Sequence, residues 1–326
     1  MSQGFVSTQN DNRVKAYSGQ LLPLARQESS MLYDKVFVKK DFTGKTFYQD
    51  QIGIWKMQRK GSHTTPSSEG RTGVSTPVND PNVRRTRIDI AEYEDARLMG
   101  RAFQMQNLSN PLDQSSICVR SALGIQMDTI IYNALGAVAK RGEEGATDVP
   151  LPAERRIAAN FQNGAATGAN TGLTVEKLRR AARLLDQHGV PESERTFVAS
   201  AVAKEQLLGS TQVTSADYNS VKALVNGEID TFLGFKFVFL PDGIISKTGN
   251  VAKYYAFHKT GLCYADLEEL FLRVDDRTDL SYDRQLYYAM QGGAGRLEEE
   301  KVVEVECDES VVVVPVTTII DITEQQ

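Results

Sequence analysis

The sequence predicts an α+β fold of long extended elements built around one long helix. Three observations predict it. Residues alternate with the period of strands at 52–57, 87–93 and 271–276. Apolar residues from Leu123 to Val138 repeat at helical spacing. Strand character then returns over 267–307, after a mixed middle.

The elements follow in chain order. Residues 1–40 begin with a polar dozen. Tyr17, Leu21, Leu22, Leu24, Met31, Leu32, Val36, Phe37 and Val38 then appear without a clean period. This reads as an extended arm that docks on something. Residues 46–57 and 87–93 read as two long strands, and Lys60 to Asn82 between them as a polar tip nearly free of large apolar residues. A dozen strand residues span about 40 Å. A two-stranded ribbon of that length is marginal alone in water, so it needs support.

Residues 112–141 carry the strongest helix signal. Leu123, Met127, Ile130, Ile131, Ala134, Leu135 and Val138 share a face. Asp113 or Ser115 is suited to cap its start, and Gly142 after Lys140-Arg141 to stop it. Thirty residues give a rod of about 45 Å, which suits a structural spine. Residues 143–172, rich in Gly, Ala, Asn and Thr, read as loop.

A second helix opens at Thr174 and ends at Gly189 and Pro191. The spacing then predicts a strand at 196–199, helices at 200–208 and 215–226, and strands at 235–240 and 253–258. In the last part, 271–276 and 286–290 read as strands, Gly292-Gly293-Ala294-Gly295 as a turn, and 301–305 as another strand. The tail holds Val311 to Val314, Pro315 and Ile319 to Ile322, which suit an edge strand or a docking edge.

Composition narrows the function classes. Of 326 residues 41% are apolar and 24% charged, enough for a core in one large domain or two lobes. The net charge of −5 argues against condensing nucleic acid, which takes a clustered basic footprint. Lys39-Lys40 and Arg84-Arg85 are small clusters that read as solvated surface. Cys118, Cys263 and Cys307 are few, odd in number and far apart, which fits a reducing cytosol rather than a disulfide framework. No secretion signal and no membrane-length apolar run is read in the sequence.

No motif assembles a reaction centre. Thr43-Gly44-Lys45-Thr46 has Lys39 where a phosphate loop needs its first glycine. His63, His188 and His258 stand apart from one another and from any ligand pair. No Gly-x-Ser-x-Gly elbow occurs. Asp275, Asp276, Asp279 and Asp283 are interleaved with Arg273, Arg277 and Arg284. A metal site would want the carboxylates without cations between them, so this cluster reads as ion pairs within or between subunits. No cofactor and no metal is expected.

The order of these elements resembles the major capsid proteins of tailed bacteriophages. Val190-Pro191 through Arg195-Thr196-Phe197-Val198-Ala199 looks like that family's helix-to-strand passage. Phe232-Leu233-Gly234-Phe235-Lys236-Phe237-Val238, followed by Pro241, looks like its recurrent Gly-Phe strand. Tyr255-Ala256-Phe257-His258-Lys259-Thr260-Gly261-Leu262 looks like the strand preceding the return to the peripheral domain.

The resemblance implies a Hong Kong 97-type fold. Its parts would be an N-terminal arm (1–40), an extended β-hairpin loop (41–95), a peripheral domain (96–172 and 265–307) with its spine helix (112–141), an axial domain (173–264) and a tail (308–326). It implies a structural subunit, not an enzyme, that self-assembles into pentamers and hexamers of an icosahedral head. The expected surroundings are a separate scaffolding protein, a portal protein, a possible decoration protein and enclosed double-stranded DNA held without sequence-specific binding. No membrane is involved. Assembly in the host bacterial cytoplasm and residence in the virion follow.

The expected subunit contacts are Trp55, Ile88, Ile90 and Tyr93 on the loop, with Arg273, Asp275, Asp276 and Arg277. Two rivals stand beside this reading: an encapsulin-like nanocompartment shell, told apart by shell content, and an enzyme using Asp275, Asp276 and His258.

Overall fold

The structure is a computed structural model. It describes residues 27–53 except 28, 83–100, 111–209 except 163 and 167, and 231–311. The expected helix at 215–226, the tip of the extended loop and most of the tail lie outside these residues.

In chain order the principal elements begin with β1 (Phe37–Lys39), β2 (Thr46–Ile52), β3 (Val83–Asp89), β4 (Ala91–Met99) and α1 (Pro111–Gly136). Next come β5 (Ala139–Arg141), β6 (Thr147–Val149), β7 (Arg156–Ile157), α2 (Val175–Asp186), β8 (Arg195–Ser200) and α3 (Ala201–Gly209). The last are β9 (Thr231–Phe232), β10 (Phe235–Leu240), β11 (Val251–His258), β12 (Leu262–Arg277), β13 (Asp283–Arg296) and β14 (Val302–Asp308).

Three sheets organise them. A mixed sheet runs β9-β10-β8-β11-β14-β7. Its central β8 is buried at all six residues, with parallel β10 on one side and antiparallel β11 on the other. Phe197 at its middle meets the rings of Phe235, Phe237 and Tyr254. Helix α2 covers this region with Val175, Leu178, Ala181, Leu184 and Leu185, a stripe at helical spacing. Thr174 caps its start by accepting from Lys177 N.

Lys177 breaks the stripe chemically. Its side chain is fully buried, and its ammonium donates to the carbonyls of Ala159, Thr171 and Glu306, each at 2.9 Å. Three acceptors for three N–H groups make this burial tolerable. They also tie the loop before α2 to β14.

A second sheet runs β1-β12-β13-β4 and a third β2-β3-β5-β6. β2 and β3 pair from Thr46↔Asp89 to Ile52↔Val83. At Ile90 the chain changes sheets, and β4 pairs β13 from Ala91↔Gly292 to Met99↔Arg284. The ribbon read through residue 93 therefore stops at Asp89.

Two other expectations are corrected. The long helix ends at Gly136, not at residue 141. Residues 139–141 are taken by β3, with Thr86↔Arg141 and Arg87↔Lys140 in register. At 26 residues it is a rod of about 39 Å. The run Gly292 to Gly295 makes no turn and lies inside β13. A Cβ on Gly292 would strike the Tyr264 hydroxyl, one on Gly293 the Asp89 carbonyl, and one on Gly295 the Ile88 side chain. These glycines admit close neighbours, the other use of Gly in a strand.

Candidate functional site

Among the described residues, exposed large apolar side chains gather on the outer part of the hairpin β12–β13. Near its start β12 is buried, with Leu262, Cys263, Tyr264 and Ala265 at 0% exposure. The register then shifts between Asp266 and Glu268 and again before Phe271. Past these irregularities β12 is exposed, while β13 beside it stays buried at Leu286, Ala289 and Met290. Leu270, Leu272 and Val274 point to one face and Phe271 to the other, each 42–45% exposed. Leu98 on β4 and Leu280 and Tyr282 at the tip add to the patch. Apolar groups exposed on both faces of a protruding sheet mark an interaction surface.

Charges border this patch. Arg273 pairs Asp275, Arg277 pairs Asp279, and Arg284 pairs Asp276 across the strands. The Arg277 guanidinium also donates to Gln285 and holds the Asp279 carboxyl down to about 2. Ser281 and Tyr282 close the tip with φ of 54° and 60°. All these pairs lie within one chain, and the groups remain largely exposed.

The β2–β3 hairpin is fastened at its base by Glu298, Glu299 and Glu300. Gln51 and Lys301 both donate to Glu298 at 2.9 and 2.7 Å. Arg84 lies 3.9 Å from Glu299 and 4.0 Å from Glu300. Arg141 donates to both oxygens of Glu299. Arg296 is buried beneath them and donates to the carbonyls of Leu135, Ala137 and Val149. The first two carbonyls end α1, so Arg296 serves as its C-terminal cation. Burial pushes its pKa below the ordinary arginine value, with Glu299 opposing. Sequence reasoning passed over this run of glutamates, and its only signal was three adjacent acids before a strand.

The arm is fastened by two carboxylates. Asp128, fully buried on α1, accepts from the Ser30 hydroxyl, the Gln27 amide and the backbone N–H groups of Met31 and Leu32. Ser121, a turn or two earlier, donates to the Gln27 carbonyl. Gly124 between them has no room for a Cβ against Ser29 and Ser30. Farther on, Asp266 accepts from the Tyr33 hydroxyl at 2.8 Å and pairs Lys40 at 3.4 Å. From residue 27 to 40 the arm docks on its own chain.

The residues singled out from sequence are not brought to one place. Trp55 lies outside the described residues. Ile88 is 1% exposed, packed with Cys263, Ala265 and Leu297 under Phe42 and Phe47. It is withdrawn as a subunit contact, because β3 turns that face onto its own chain. Ile90 and Tyr93 are half-buried, and Tyr93 leans on the core. Arg273, Asp275, Asp276 and Arg277 lie together on the outer hairpin. His258 is buried at the end of β11, where it caps the turn at 259–261. Asp275 is thirteen residues along β12 from Leu262, about 43 Å of strand away. His258 and the Asp275–Asp276 pair therefore form no common site. Among the described residues no group of three His, Cys, Asp or Glu side chains converges for a metal, and no helix is long and apolar enough to cross a membrane.

Comparison with known proteins gives one direction. A family model described as phage capsid protein matches residues 10–309. A search of curated proteins gives no match. Among solved structures, the capsid of cyanophage P-SCSP1u is similar with a TM-score of 0.67 at 18% identity, covering 91% of this chain and 94% of that one. The cyanophage Pam1 capsid gives 0.68 at 10% identity, covering 96% and 100%. The capsid of Ralstonia phage GP4 gives 0.66 at 10%, covering 94% and 98%. At these identities the likeness is one of fold.

Proposed function

The chain belongs to the phage capsid protein family, and on that premise we propose that it is the major subunit of a tailed-phage icosahedral head enclosing double-stranded DNA. The observation that carries this reading is the outer β12–β13 hairpin, an apolar patch that nothing else in the described chain covers. A second copy with the same patch can cover it, and closed symmetry repeats that contact many times.

In this reading residues 1–40 are the arm, 41–95 the extended loop, 96–172 and 265–307 the peripheral domain, 173–264 the axial domain and 308–326 the tail. β14 lends its strand to the axial sheet. Peripheral sheets meet through Leu270, Leu272, Val274 and Phe271. Arg273, Asp275, Asp276 and Arg277 border that contact and set its register, as interface charges do. The loop reaches a neighbour through Trp55, Ile90 and Tyr93, while its base stays fastened at Glu298 to Glu300. Subunits gather as pentamers and hexamers in the host bacterial cytoplasm. A separate scaffolding protein, a portal and a possible decoration protein are the further partners. The DNA is held without sequence-specific binding, consistent with a net charge of −5.

Negative-stain electron microscopy of the chain made in bacteria, alone and with a candidate scaffold, tests this. Uniform or aberrant curved shells are the expected result, with DNA inside native particles. Protein cargo in place of DNA would point to a nanocompartment. A chain that stays monomeric with every scaffold tried would sink the reading.

A further inference from the structure

Strand β4 is a sheet edge. It pairs β13 on one side, from Ala91↔Gly292 to Met99↔Arg284, and among the described residues no strand pairs its other side. Alternate N–H and C=O groups along its length therefore point away from the sheet. The Ala96 N–H donates to the Asp95 carboxylate at 2.9 Å rather than to β13, which places it on the open side. Helix α1 packs on β12 and β13, and the edge beyond stays open, with Glu92 and every residue from Glu94 to Leu98 exposed.

An open edge ordinarily carries charge that deters pairing. On β4 these charges are Glu92, Glu94, Asp95 and Arg97, and their order singles out one arrangement. When two copies of a strand pair antiparallel about a two-fold axis, each residue faces the one equally far beyond the centre. A centre at Glu94, Asp95 or Arg97 sets that residue against its own copy, like against like. A centre at Tyr93 sets Glu92 against Glu94. A centre at Ala96 sets Asp95 against Arg97 on both sides of the axis, Glu94 against Leu98, and Ala96 against Ala96. No like charges meet in it, and opposite charges directly across a strand pair stabilise it. The two methyl groups at the centre leave the strands room to close. The outward Ala96 N–H then meets the Ala96 carbonyl of the other copy, the exchange that an antiparallel ladder makes at such a pair.

We propose that β4 pairs with β4 of a second copy of this chain, antiparallel and centred on Ala96, joining two four-stranded sheets into one continuous sheet. The contact uses the same edge on both copies and closes on itself. Asp95 lies 3.4 Å from Arg97 of its own chain and accepts from the Tyr288 hydroxyl. Pairing adds the second copy's Arg97 across the axis. The inference goes beyond the shell reading and does not rest on it, because two copies complete the contact whether or not they join a shell.

Disulfide trapping tests it, in a Cys118→Ser background under mildly oxidising conditions. The A96C chain should form an interchain disulfide, since residues paired at the centre lie about 5.5 Å apart at Cα, within disulfide reach. The control is E92C, on the same face of the same edge. Its two copies would stand about 26 Å apart along the paired strands, and it should form none. Equal crosslinking of the two, or none with A96C, overturns the proposal. Mixing then separates pairing between copies from pairing within one. In the A96C background, D95R carries two cations and R97D two carboxylates, so each chain repels its own copy and complements the other. Each alone should lose the disulfide, and the mixture should regain it, joining one chain of each kind. A mixture that stays uncrosslinked while both chains keep the wild-type circular dichroism overturns the proposal. The first comparison leaves Asp95 and Arg97 in place, so it decides the matter even where the charge variants fold poorly.

Discussion

Asp128 concentrates the attachment of the arm in one side chain. Four donors, two of them backbone N–H groups, converge on its two oxygens in a site closed to water. Hydrogen bonds to a charged group contribute more than neutral ones, and orphaned donors cost desolvation energy. Asp128→Ala should therefore destabilise the chain by about 3 kcal/mol, read from urea unfolding. Ser30→Ala should cost roughly 1 kcal/mol. If the two variants unfold at the wild-type midpoint, the strap does not hold the arm. Asp128 was legible only as a polar residue in an apolar helix. Its partners lie about a hundred residues earlier in the chain, and spacing carries no such information.

Glu309 is a second residue with a measurable signature. Burial alone would raise its carboxyl, but Lys247, Ser200 and Tyr254 outweigh that, and it lies below its ordinary value of 4.5. As pH falls below 4.5 the unfolded chain takes up the proton while the folded one still resists. Stability from this group is thus present above 4.5 and lost as pH falls toward the folded value. Glu309→Gln should flatten the acid limb of thermal unfolding in that window. An unaltered limb would show that Lys247 and the two hydroxyls do not hold the charge.

At the scale of elements, close approach decides where chain segments lie. Gly293 lets β3 cross β13 with the Asp89 carbonyl against it. Gly293→Ala puts a methyl group into backbone that cannot retreat, and should cost about 1–3 kcal/mol. Equilibrium unfolding checks this, and an unchanged midpoint would mean the crossing is loose. The glycines were visible in the sequence, but their role was read as a turn, because a Gly run has the same composition in either use. The end of α1 has a similar history. Lys140, Arg141 and Gly142 make a good stop signal, yet β3 claims 139–141 as a strand, and tertiary pairing overrides a local signal.

For the whole molecule, the distinction between folding and assembly is the useful one. Leu272 and Val274 are 45% exposed and contribute little to the core of one chain. Replacing both with Ser should leave unfolding within about 0.5 kcal/mol of wild type, as for ordinary surface changes. The same variant should fail to form shells by electron microscopy. Normal shells would remove this patch from the interface, and a large loss of stability would assign it to the chain's own core.

The sequence by itself determined the kinds of element and their order. Periodicity is a local property, so α1, α2, β8, β10, β11 and β14 could be read from the spacing of their own residues. Through the phrases around Phe197, Phe235 and Phe257 it also pointed to the family. What only the tertiary structure decided are the relations between distant segments. These include the change of sheets at Ile90, the burial of Ile88, the Asp128 strap, and the glutamates that fasten the hairpin. The physical reason is that each depends on which surfaces meet after the chain folds back, and a side chain's meaning changes with its partner. Ile88 reads the same whether it faces a neighbour or its own core, and only the packed molecule shows that Gly295 and Leu297 cover it.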